Sequence, residues 1–181
     1  MRLQFIALIL FLPASVAMSQ THCKKGETDY FSCVTDAAEK VMSICGTVPD
    51  GAVDDDSWLQ YRFGKPGAIE LAYPKAKDRS LSKFEGNFFY RFNFSDLRFI
   101  SGKALYSVNF LGPYDGNDAS PRRGYLGGVD VQVHGRAGVN IHCTTVLGRK
   151  YFDRFNRLNV SLEQFNGESN FLGRFEGRTP K

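Results

Sequence analysis

The sequence holds little of what an enzyme or a nucleic-acid binder needs. Only three histidines occur in 181 residues, so an imidazole base could only be His22, His134 or His142. No Gly-x-Ser-x-Gly step occurs, which removes the usual strand-to-helix setting of an exposed serine nucleophile. No Cys-x-x-Cys pair and no two histidines three to five residues apart are present, so the ligand spacing of a structural zinc site is missing. Lysine and arginine are not gathered into a basic stripe, which argues against a nucleic-acid partner. No apolar run reaches the ~20 residues that span a bilayer as a helix. Neither a cofactor nor a metal is therefore expected.

What is present describes a folded, exported chain. Hydrophobic residues make up 43%, aromatic 14% and charged 23%, with 16 Phe and 8 Tyr, a composition that excludes wholesale disorder. The length suits one domain. Arg2, the apolar run Phe5–Leu12, Pro13 and the small residues of Ala14–Ser19 have the order of a secretory signal peptide over 1–19. Cleavage is expected before Gln20, with Met18 as the alternative, which gives an exported, periplasmic protein. In an oxidising compartment the four remaining cysteines, Cys23, Cys33, Cys45 and Cys143, read as two disulfides with three possible connectivities. The preferred pairing staples a local hairpin with Cys33–Cys45 and ties the N-terminal segment to a late strand with Cys23–Cys143. His22 beside Cys23 and His142 beside Cys143 are poor shared metal ligands, because neighbours on a strand point to opposite faces.

From Tyr30 onward apolar and polar residues alternate with period two, broken by Gly, Pro, Asp and Asn. Strands are expected over Tyr30–Val34, Val41–Cys45, Trp58–Phe63, Ala68–Tyr73, Phe88–Phe94, Ala104–Leu111, Val129–His134 and Val139–Cys143. Asp36–Glu39, Gly64–Gly67 and Gly135–Gly138 are natural turns between them. Seven to nine such strands predict an all-β antiparallel barrel or sandwich, half-buried on one face. Tyr151, Phe152, Phe155 and Leu158 recur at helical spacing, so one short C-terminal helix is expected near 149–159. The β domain then covers 20–166, and a frayed tail covers 167–181.

Charge is distributed unevenly. Removing the signal peptide leaves 22 basic and 19 acidic residues, yet Glu27–Asp56 holds eight acids and one base. The sharpest part is the connection carrying Asp50, Asp54, Asp55 and Asp56, an acidic finger that could meet a cationic partner. A second long connection, Gly112–Gly124, offers Tyr114, Asp115, Arg122 and Arg123 as contact residues. Asp115-Gly-Asn-Asp118 has only part of a calcium loop, without its later bidentate Glu. Asn93 and Asn159 lie in glycosylation sequons that matter only in a eukaryotic secretory path. Glu70, Glu85 and Asp130 could supply a carboxylate pair, but no spacing singles one out. Nine aromatic residues between Phe84 and Phe110 either fill the core or line a cavity for an apolar ligand, and core filling is the expectation.

Phe31-x-Cys33, Cys45 and Tyr61-x-Phe63-Gly64-x-Pro66-Gly67-x-x-Glu70-Leu71, followed by a late strand ending in Cys143, resemble a group of small exported proteobacterial proteins of unknown function. The likeness covers Tyr30–Cys143 and implies a Gram-negative envelope protein with a small antiparallel β fold. More distantly, the disulfide-tied layout is similar to periplasmic lysozyme inhibitors and toxin-immunity proteins, although the inhibitors' plugging motif has no counterpart here. The expectation that follows is a non-enzymatic binding protein directed at a cell-wall hydrolase or toxin. A small-ligand carrier and an envelope hydrolase using His134 or His142 are the alternatives.

Overall fold

The computed structural model describes residues 21–47, 56–89, 94–111 and 127–148, with the side chains of 87–89 and 94 set aside. Nine strands fill these stretches: β1 (Thr28–Thr35), β2 (Val41–Gly46), β3 (Leu59–Lys65), β4 (Ala68–Tyr73), β5 (Glu85–Phe89), β6 (Phe94–Ser101), β7 (Ala104–Leu111), β8 (Gly127–Val133) and β9 (Val139–Gly148). They form one antiparallel sheet in the order β4-β3-β2-β1-β9-β8-β7-β6-β5. Two meanders, β1–β4 and β5–β9, are thus sewn together through β1 and β9. The expected signal peptide, the helix at 149–159, the 167–181 tail and the sequon residues Asn93 and Asn159 lie outside the described residues.

Because every neighbouring pair is antiparallel, the two edge strands β4 and β5 run in the same direction. A tight hairpin can join only antiparallel strands, so the 74–84 segment crosses over instead. The chain is pinned on that crossing. Gln60 Nε2 donates to the Pro74 carbonyl at 2.7 Å, and the Leu59 amide donates to Ser80 Oγ at 2.8 Å. A single 3₁₀ turn, Ser80–Lys83, precedes the buried Phe84.

The sheet curls into a half-barrel around a core of aromatic rings. Phe99 of β6 stacks on Tyr106 of β7 at 4.7 Å and on Tyr73 of β4 at 4.4 Å. It also meets Tyr61 of β3 at 5.1 Å and Phe84 at 5.6 Å. The rings from opposite ends of the sheet therefore close on each other, and each such pair adds to the area term. Burial pushes the Tyr61 hydroxyl well above the usual phenol range, with Tyr106 adding to the rise. The expectation that these rings fill the core agrees with this packing.

Three expectations are corrected. The cysteines pair Cys23–Cys45 and Cys33–Cys143, with Cα separations of 5.4 and 5.6 Å. The β1–β2 register sets Cys33 opposite Met42 and Cys45 opposite Asp29, so Cys33 and Cys45 lie on opposite faces of the sheet and about 10 Å apart along it. Cys33 points inward, where β9 brings Cys143, while Cys45 points outward. Second, Phe88–Phe94 is not one strand: Phe89 pairs with Phe94, so the chain reverses between β5 and β6. Third, burial is not confined to one face. All of β2 is buried, because residues 21–27 cover the outer side of β1–β3. Val139, whose alternation with Ile141 and Cys143 predicts the inner face, is 57% exposed: β1 pairs with β9 only from Cys143 onward, so Val139 stands beyond the cover of β1.

Candidate functional site

Strand direction sorts the connections into two ends. The turns at 36–40, 66–67, 102–103 and 134–138 share one end and are short. The 47–58 and 112–126 connections leave from the other end, with the N-terminal segment and the end of β9. Both loops singled out from the sequence therefore depart from the same end of the sheet. Asp56 is exposed there, while Asp50, Asp54, Asp55, Tyr114, Asp115, Arg122 and Arg123 lie outside the described residues.

The base of the acidic connection is clasped. Thr47 N–H donates to the Trp58 carbonyl at 3.1 Å, and Trp58 N–H returns a bond to Thr47 Oγ1 at 3.0 Å. The buried Tyr30 hydroxyl donates to the Thr47 carbonyl. Lys77 Nζ sits 3.8 Å from the Trp58 ring centroid, a cation–π contact. Rigid anchoring of this kind lowers the ordering entropy that a loop must lose on binding.

Next to that base, on the outer face, lies a buried ionic network. The Arg62 guanidinium donates to both Glu27 carboxylate oxygens, at 2.5 and 2.9 Å, to the His22 carbonyl at 2.6 Å and to Gln60 Oε1 at 2.7 Å. Lys77 reaches Glu27 at 3.0 Å, and the Lys24 amide donates to it at 2.7 Å. Burial alone would raise the Glu27 pKa, but these donors outweigh it and hold the carboxyl at about 2. His22 N–H donates to Ser43 Oγ at 3.0 Å, and its Nε2 meets the Gly64 carbonyl at 3.1 Å. Asp29 goes the other way: burial raises its pKa, opposed by hydrogen bonds from Ser32 and Thr21. The Cys23–Cys45 bond locks this N-terminal cover in place.

The remaining candidates do not converge. His134 and Asp130 line one open groove of about 550 Å³ with Gln132, Arg136 and Asn140. Asp130 lies in β8, and His134 comes four positions later, in the turn that follows the strand. Asp130 accepts from Asn109 Nδ2 at 3.3 Å. The His142 backbone holds the 36–39 turn: its amide donates to Asp36 Oδ1 at 2.9 Å and its carbonyl accepts from the Asp36 amide at 2.9 Å. Glu70 of β4 pairs with Lys40 at 2.7 Å. Among the described residues, no three His, Cys, Asp or Glu side chains gather as metal ligands.

Sequence reasoning missed the Glu27–Arg62–Lys77 network. Arg62 alternates with Leu59, Tyr61 and Phe63 and so reads as a solvent-facing charge. The available signal was Cys23, whose bridge to an outward Cys45 must draw residues 21–27 over that face. No family model, characterised protein or solved structure matches this chain.

Proposed function

We propose that this is an exported, periplasmic, non-enzymatic binding protein that inhibits or neutralises a cell-wall hydrolase or an envelope-targeted toxin. The observation that carries this reading is the shared departure of the 47–58 and 112–126 connections from one end of a doubly cross-linked sheet. A rigid scaffold with its long connections on one side is the arrangement of many binding domains. Two disulfides suit an oxidising compartment, and among the described residues no helix is long and apolar enough to cross a membrane. Aromatic rings packed 4.4–5.6 Å apart around Phe99 favour a filled core over an apolar cargo.

In this reading the acidic finger docks on a cationic partner surface, and charge sets association rate and salt dependence. The test is capture of partners from periplasmic extract and secreted effectors by the mature protein, followed by reversal of Asp54, Asp55 and Asp56 to Lys. The captured partner should bind at least about tenfold more weakly, with a flatter salt dependence. Unchanged affinity and unchanged salt dependence would discard the acidic finger.

A further inference from the structure

Strand β4 ends the sheet, and its first half, Ala68–Glu70, is exposed while Leu71–Tyr73 are half-buried against the core. We propose that this edge is a second docking surface, which takes an extended acidic segment of a partner protein as an added strand. The inference stands apart from the acidic-finger reading, since it concerns another surface and the opposite charge.

An edge strand presents alternate N–H and C=O groups with no partner, and natural proteins protect such edges by charge, proline or cover. The opposite edge begins buried, with Glu85 only 7% exposed. β4 begins open. Ala68, Ile69 and Glu70 are all exposed, the large apolar side chain of Ile69 at 44%. Its single charge, Glu70, is neutralised by Lys40 at 2.7 Å, so it does not repel an incoming acid. Pro74 comes only after the strand.

The surroundings choose the occupant. An open pocket of about 430 Å³ beside the start of β4 is lined by Thr21, His22, Lys24, Lys25, Gly67 and Ile69. Lys24, Lys25 and Lys65 are exposed at this corner, and the exposed Lys75 follows the far end of the strand. A strand alternating carboxylates with apolar side chains can meet the lysines and lay an apolar group on Ile69, while its backbone completes the β4 ladder. A second copy of this chain, paired edge to edge in antiparallel fashion, would set Lys75 of each against the lysine corner of the other. Like charges disfavour that arrangement.

The test uses the mature full-length protein and a labelled eight-residue peptide alternating Glu and Val. Its Lys/Val counterpart and a version N-methylated at alternate residues serve as controls. We expect the Glu/Val peptide alone to bind by fluorescence anisotropy, weakening with salt, and to slow amide exchange in Ala68–Tyr73. Lys24→Glu with Lys25→Glu should weaken it on the order of tenfold, since both side chains are exposed and the fold does not depend on them. Reversal of Asp54–Asp56 should leave it unchanged, which separates this surface from the first. Absence of binding, equal binding of the Lys/Val or N-methylated peptide, or protection located away from β4 would each overturn the proposal. A dimer that protects β4 without peptide would overturn the choice of occupant.

Discussion

The outer faces of β3 and β8 begin from the same alternating pattern and end in opposite environments. On β3, Gln60 and Arg62 are buried under residues 21–27, and every donor of the Arg62 network described above has a partner within the protein. On β8, Gln132 remains exposed and Asp130 half-exposed beside an open groove. Polar residues that look equivalent along a strand therefore carry very different energetic weight. The difference comes from a short segment that is remote in sequence and fastened by one disulfide. Once buried, an arginine needs its carboxylate, because an ion left without its partner in a dry setting is costly.

The largest test of this contrast is truncation. Arg62→Ala leaves Glu27 buried without its main partner and should cost about 3–5 kcal/mol, whereas Gln132→Ala on the open face should stay within about 0.5 kcal/mol. Paired denaturant titrations measure both. Comparable losses would mean that the cover does not seal the β3 face.

Next comes the fastening. Replacing Cys23 and Cys45 by Ala releases a loop closure worth about 3 kcal/mol in the chain-entropy account. It should also speed amide exchange in Ser43 and Arg62 more than in Asp130. Uniform exchange across both faces would show that the cover holds without its bridge.

The smallest effect is in pH. Glu27 is lowered from 4.5 to about 2, so its contribution is fully present above pH 4.5 and fades as pH falls towards 2. Asp29 is shifted upward, so its ionisation weakens the fold as pH rises through its ordinary range, and protonation relieves that loss. The part of the stability owed to Glu27 should therefore drop between pH 4.5 and 2. Glu27→Gln should flatten that drop and leave the Asp29 contribution. A Glu27→Gln variant with the wild-type acid profile would remove Glu27 from the account.

Period-two alternation made β7 and β8 legible, because each side chain of a strand in a sheet with a core on one side must choose a face. Ala104–Leu111 is found with the residue bounds read from the sequence. The same rule misled at Phe88–Phe94, where alternating apolar residues continue through a reversal that carries no Gly or Pro to mark it. The two candidate loops were visible as long polar interruptions. Their departure from one end follows only from the strand order. Carboxylates and histidines were equally visible, but their separation became measurable only when register assigned each to a strand and a level.

Local chemistry in the chain already determined strands, turns and an even set of cysteines, since side-chain period, glycine-bearing turns and thiol number are properties of neighbouring residues. Which cysteine meets which, what covers Arg62 and which edge of the sheet stays open were decided by pairing between residues far apart in sequence. The Cys33–Cys143 bridge joins residues 110 positions apart, and β1 meets β9 only once the two meanders have closed. Such contacts depend on register and curl, and a difference of one residue in either would turn every side chain to the other face.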